Sequence, residues 1–226
     1  MKRGQFIKSL SAFAFSTPLI WSIACSKDKG EPSDIRPEDG CLSTPAETAG
    51  PFPTKTPNSF IRSDIRKKDG FGTHMNAEIK IQNLQKNCIP MENAVVDIWH
   101  CDINGDYSQY GSGDNDNWFR GRQITDKDGK VNFDTIFPGW YPGRAVHIHV
   151  HIYDRTGNSL LITQIAFQDN LAASVYTNGR QFGYQGLSGY TYNNADSIFR
   201  DGAGSQVASV TGSLETGFKL TITLNV

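Results

Sequence analysis

Apolar and polar residues begin to alternate near residue 75. The run HMNAEIKIQNL alternates and so does NAVVDIWHC, each bounded by polar turn residues. A period of two places every second side chain on one face of an extended chain, so both runs predict strands with one buried face. GRQITD, KVNFDTIF, AVHIHVHIY and SLLITQIAF continue the pattern, with a DKDG turn and a PGWYPG turn between them. The C-terminal QVASVTGSLETGFKLTITLNV reads as two more strands joined through GSLETG. Between these runs, residues 169–205 are looser and rich in Gly and Tyr, with one short helical turn expected around NLAASVY. Short strands at this spacing predict an all-β sandwich or barrel. No internal repeat interrupts the series.

Before residue 75 the periodicity fails, and the reasons differ along the segment. Lys2, Arg3 and Lys8 precede the apolar, small-residue run SAFAFSTPLIWSIA, which is the layout of a secretory signal. Ala24 before Cys25 resembles a bacterial lipoprotein signal with Cys25 as the lipidated residue, although Ser22 stands where such signals carry Leu. Plain secretion with cleavage nearby is the alternative, and both take the chain out of the cytoplasm. Residues 26–40 (SKDKGEPSDIRPEDG) are charged and aperiodic, as in a tether. The expected organisation is a signal over 1–24, a tether over 25–40 and one domain over 41–226. The first 30 residues of that domain, including TPAETAGPFP, read as a long irregular arm laid over the strands.

Composition narrows the function classes. With 226 residues, 38% hydrophobic and 11% aromatic, the chain can build a substantial core. A mean hydropathy of −0.43 excludes a multi-span membrane protein. The formal charge is −1, from 22 basic and 23 acidic residues. Loss of residues 1–24, with their three basic residues, would leave 19 against 23, or −4. No basic stripe is present, which argues against nucleic acid as a partner. A lipid on Cys25 would be the one membrane attachment. Of the remaining cysteines, Cys41, Cys88 and Cys101 allow one internal disulfide in an oxidising compartment, and the sequence does not choose the pair.

The candidate chemistry lies in GWYPGRAVHIHVHIY. His147, His149 and His151 fall on one face of a regular strand, where i and i+2 imidazoles can reach a common metal. Convergence of all three on one ion is awkward for a straight strand. Tyr141 precedes them in the PGWYPG turn, and Tyr107 follows a Gly turn in DIWHCDINGDYSQY. Phenolate is a hard anionic oxygen donor, so two phenols with two imidazoles suit a hard trivalent metal better than zinc. Such an ion would strongly lower a phenol pKa that is otherwise near 10.

The segments ETAGPFP, AVVDIWHCDINGDYSQY, GRQITDKDGKVNFDTIFPGWYPGRAVHIHV and LITQIAF resemble the intradiol ring-cleavage dioxygenases, in order and spacing, across residues 41–226. The likeness is closest to short secreted members with a cysteine-started arm and no helical dimerisation domain. It implies a prealbumin-like β-sandwich with active-site loops, and a non-haem Fe(III) held by Tyr107, Tyr141, His147 and His149. It also implies that Arg144 and Gln164 line the substrate pocket. Arg144 would steady charge developing on the ring, and a displaced Tyr141 would accept a substrate proton. The activity implied is cleavage of a catechol-type ring between its hydroxyls with O2, giving a cis,cis-muconate-type product. Two departures stand out: Ala145 replaces the family's proline, and only PGRAV separates Tyr141 from His147.

The resemblance gives His151 no metal role, so it reads as a strand residue. His100 reads as structural, His74 as a solvent-facing turn residue, and Trp99, Trp118 and Trp140 as core or wall, with Trp140 a candidate border of the pocket. Two rival functions remain at this level. TDKDGKVNFDTIFPGWY also resembles transthyretin-like and carboxypeptidase-regulatory sandwich domains, which would make the chain an extracytoplasmic binding module. Copper or zinc on the His-X-His pair, with the tyrosines as bystanders, is the other. The identity of the catechol and the oligomeric state stay open.

Overall fold

The computed structural model describes residues 41–226 except Asp114. The expected signal, the tether and Cys25 therefore lie outside the described residues. Among those described, the strands are β1 (His74–Asn83), β2 (Ile89–Pro90), β3 (Val95–Trp99), β4 (Arg120–Ile124), β5 (Lys130–Ile136), β6 (His147–Tyr153), β7 (Ser159–Ala166), β8 (Ser209–Ser213) and β9 (Gly217–Asn225), with one α-helix, α1 (Asp169–Asn178). The helix is longer than the single turn expected from NLAASVY, and β2 is a two-residue strand that the periodicity did not indicate.

Two sheets form the sandwich. In one, β1 pairs antiparallel with β5 and β2 and parallel with β9, and β9 carries β8 at the edge. The other is fully antiparallel in the order β4-β3-β6-β7. Alternation decides which residues enter the core. Ile148, Val150 and Ile152 of β6 and Val96 and Ile98 of β3 are fully buried and cluster with Met75, Ala77, Ile79 and Ile81 of β1 and Phe133 of β5. Ala172, Val175 and Tyr176 of α1 close one end of the same cluster. The all-β sandwich expected from the pattern is the fold observed.

The other face of β3 and β6 points away from this core and carries Asp97, Trp99, His147, His149 and His151. The irregular arm covers part of that face. Cys41 is disulfide-bonded to Cys88, which leaves Cys101 as a buried free thiol. From there Glu47 N–H donates to Ile162 O of β7 at 2.7 Å, and Thr163 Oγ1 donates to Pro45 O at 2.7 Å. Further on, isolated bridges tie Ile61 to Arg122 of β4 and Asp64 to Asp134 of β5.

Candidate metal centre and substrate pocket

The site forms where three segments meet the start of β6. The first is the turn after β3. Asp102 Oδ1 accepts the N–H groups of Asn104 and Asp106, and Gly105 N–H donates to Asp102 O, so the chain reverses and delivers Tyr107. The second is the segment after β5. Tyr176 Oη donates to Pro138 O at 2.9 Å and Tyr184 Oη to Phe137 O at 2.8 Å, fixing the stretch that ends in Tyr141. These two segments pass so closely at Gly139 that a Cβ there would stand 2.2 Å from Asp102 O. Only glycine permits that approach, and it brings the Tyr107 and Tyr141 rings within 6.0 Å, centroid to centroid.

The arm is the third segment. Phe52 stacks on Tyr107 with centroids 4.8 Å apart. Gly50, at φ +68°, passes over His149, where an added Cβ would meet the imidazole Cε1 at 2.9 Å. Thr48 O accepts a hydrogen bond from Gln164 Nε2 at 2.9 Å. A fully buried Arg120 fastens the arm. Its guanidinium donates to Ser108 O and Oγ beside Tyr107, and to Phe52 O and Thr54 Oγ1 on the arm.

His147 and His149 follow one another on the outer face of β6, both buried. Nδ1 of His147 donates to Ala145 O at 2.6 Å, so its Nε2 carries the lone pair. Three groups crowd that lone pair: His149 Nε2 at 3.1 Å, Tyr107 Oη at 3.3 Å and Tyr141 Oη at 3.3 Å. One lone pair cannot satisfy three hydrogen-bonding partners. Donors bonded to a single ion at about 2.1 Å stand about 3.0–3.4 Å from one another. The three distances from His147 Nε2 therefore fit a metal ion shared with those groups.

Electrostatics agrees with that fit. Burial, with the Arg144 charge adding to it, lowers the His147 pKa to about 3. Burial, with His147 and Arg144 adding to it, holds His149 well below its usual value. Both imidazoles are neutral and available as ligands. Burial also pushes both phenols up, Tyr107 strongly and the half-exposed Tyr141 less. A multivalent cation among the four groups is what would favour their phenolate forms. Among the described residues no group of three or more His, Cys, Asp and Glu side chains is arranged to hold a metal. Half of this donor set is phenolic.

Arg144 and Gln164 flank the centre. Arg144 Nη2 donates to Gln164 Oε1, and Nη1 stands 3.5 Å from His147 Nε2. The expected residues Tyr107, Tyr141, Arg144, His147, His149 and Gln164 are thus brought together. His151 stands apart, bonded to Ser159 Oγ and stacked on Tyr153. His100 is buried against Thr135 Oγ1 and Cys101 O, and His74 opens β1 with its ring exposed, facing Asp134. Trp140 is buried in the main core against Tyr176 and Tyr190. Residues the sequence reading missed are Arg120, the Gly50–Phe52 contacts and Asp196, a fully buried carboxylate bonded to Arg144 Nε at 2.9 Å. An arginine between Phe119 and Gly121 at the start of β4 is the one available signal for Arg120.

A two-sheet sandwich with two tyrosines and two histidines at the end of one sheet is the architecture on which the comparisons bear. Residues 52–178 match the dioxygenase family model. The chain belongs to the intradiol ring-cleavage dioxygenases. A solved intradiol ring-cleavage dioxygenase from Tetranychus urticae is 28% identical, with a TM-score of 0.72 over 82% of this chain and 94% of that one. The dioxygenase domain of a carbohydrate-binding fusion protein from Streptomyces sp. SirexAA-E is 26% identical, with a TM-score of 0.61 over 81% of this chain and 97% of that one. Among curated proteins, a chlorocatechol 1,2-dioxygenase from Rhodococcus opacus is 30% identical over 99 residues, covering 35% of this chain. This chain spans only 38% of that relative's length.

Proposed function

We propose that the chain is an Fe(III)-dependent enzyme that opens a catechol-type ring between its two hydroxyl-bearing carbons, incorporating both atoms of O2 into a cis,cis-muconate-type product. The observation that carries this reading is the crowding of Tyr107 Oη, Tyr141 Oη and His149 Nε2 around the lone pair of His147. The metal would be held by those four residues, and it would supply Lewis acidity that makes a bound catecholate reactive toward O2.

The protein's own groups have separable tasks. Tyr107 is buried under Phe52 and fixed. Tyr141 is partly exposed, and its Oη, as the phenolate that a bound metal would favour, would take a proton from an incoming catechol hydroxyl. Arg144 Nη1 faces the centre and would steady negative charge on the substrate oxygens. Gln164, held between Thr48 O and Arg144, would orient the ring. The arm roofs His149 and keeps water from that side.

The purified, iron-loaded chain should be burgundy-red from tyrosinate-to-iron charge transfer and should consume oxygen with members of a substituted catechol panel. Tyr107→Phe and His147→Ala should each lose colour or iron, and His151→Ala should keep both. A colourless protein that cannot be loaded with iron overturns the reading in favour of a binding module. Stoichiometric zinc or copper, with iron refused, favours the other metals. We also propose an extracytoplasmic location. The Cys41–Cys88 disulfide supports it, because such bonds persist in oxidising compartments. Recovery of the protein, with that bond reduced, from a cytoplasmic fraction alone would sink it.

A further inference from the structure

Asp196 lies in the loop region after α1, 52 residues from Arg144 in sequence, and its carboxylate is fully buried. Its Oδ2 accepts Arg144 Nε at 2.9 Å and the Ala145 N–H at 2.6 Å, while Oδ1 accepts the Ile198 N–H at 2.7 Å. We propose that Asp196 is a positioning residue that sets the Arg144 guanidinium and the Ala145 peptide toward the centre, an inference that rests on the dioxygenase reading above.

Two consequences follow from those bonds. A guanidinium is planar, so acceptors on Nε and on Nη2 fix its plane. Asp196 takes the first and Gln164 the second, which leaves Nη1 directed at the metal centre, 3.5 Å from His147 Nε2. The Ala145 peptide is likewise held from both sides. Its N–H goes to Asp196, and its C=O accepts Nδ1–H of His147, the bond that fixes that imidazole's tautomer. Ala145 supplies the N–H that Asp196 accepts; a proline there would fix φ through its ring and have no N–H to donate. Phe199, three residues on, packs over the Arg144 guanidinium at 5.8 Å and near the His147 ring at 6.5 Å, so the same loop contacts both groups that Asp196 orients.

The test compares the full chain with its D196A, D196N, R144A and D196A/R144A variants after iron loading. Four quantities are read: kcat and KM for oxygen uptake with catechol, the spectral affinity for 4-nitrocatechol, iron content and Tm. D196A should lower kcat/KM about 10–100-fold, the range for groups that orient first-contact residues. Iron content should stay near that of the parent. D196N keeps one acceptor but turns an amide donor toward the Ile198 N–H, and should fall between the two. The double variant should lose clearly less than the product of the two single losses, because Asp196 acts in large part through Arg144 and for the rest through the Ala145 peptide. Unchanged kcat/KM and 4-nitrocatechol affinity in D196A overturn the proposal. So does a loss that multiplies onto R144A with parallel falls in iron and Tm, which marks a purely structural residue. If the parent chain binds 4-nitrocatechol but consumes no oxygen, the dioxygenase reading fails, and the affinity cycle alone decides on Asp196. If the parent binds neither iron nor 4-nitrocatechol, both fall.

Discussion

The indole of Trp99 and the imidazole of His149 lie face to face, centroids 5.0 Å apart and planes 4° from parallel. They are direct cross-strand partners on β3 and β6. Nδ1 of His149 finds no hydrogen-bond partner among the described residues, so stacking and the overlying arm orient the ring. Trp99→Leu should weaken iron retention about 10–100-fold, the usual range for losing support behind a ligand. Trp99→Phe should keep most of it. Competition with a graded chelator reads the difference, and equal retention in both variants would refute the stacking role.

Gly50 approaches the same imidazole at its Cε1 edge. Alanine there would meet a left-handed backbone at φ +68° and place its Cβ 2.9 Å from His149 Cε1. The backbone term alone costs about 1–2 kcal/mol. Gly50→Ala should therefore both lower Tm and reduce iron content, whereas a change confined to Tm would show that the arm can lift without disturbing the histidine.

Arg120 is a buried cation whose hydrogen bonds run to Ser108, Phe52 and Thr54. Burial lowers its pKa to about 10, so it remains charged at neutral pH. Arg120→Met leaves carbonyls unpaired at about 1–3 kcal/mol for each such group, and a total near 2–4 kcal/mol is expected in urea unfolding. Cleavage by protease near residues 52–56 should accelerate in step. Lysine should rescue little, since one ammonium cannot span the same acceptors.

His100 makes acid stability testable away from the metal ligands. Its ring is buried and bonded to Thr135 Oγ1, and burial lowers its pKa from 6.5 to about 4. Between those values the unfolded chain binds a proton that the folded chain does not, so stability from this group is complete above pH 6.5 and falls as pH drops toward 4. By linkage the loss reaches about 3 kcal/mol. His100→Gln should be less stable at pH 7 and show a shallower decline between pH 6.5 and 4 in chemical unfolding. An unchanged slope would place the proton uptake elsewhere.

Strands with one solvent or site face were legible because burial imposes a period of two, and β1, β3, β5, β6, β7 and β9 fall where alternation put them. The short β2 pair carries too few residues to show a period. Tyr107, Tyr141, His147 and His149 sit in local motifs whose turns and spacing are written in adjacent residues. Asp196 and Gly50 are different. Each acts on the centre across a long loop through one close approach, and neither NNADSIF nor TAGPF has a local period that points to a distant partner. Trp140 neighbours Tyr141 in sequence, yet its indole packs in the main core against Tyr176 and Tyr190.

Strand β6 serves two masters on its two faces, with Ile148, Val150 and Ile152 inward and His147 and His149 outward. Deleting or inserting a single residue between His147 and Tyr153 would exchange the faces, turning imidazoles into the sandwich and aliphatics toward the tyrosines. This short stretch is therefore an unforgiving reading frame for evolution. Substitutions can be absorbed there one at a time, but a change of length would abolish folding and chemistry in one event.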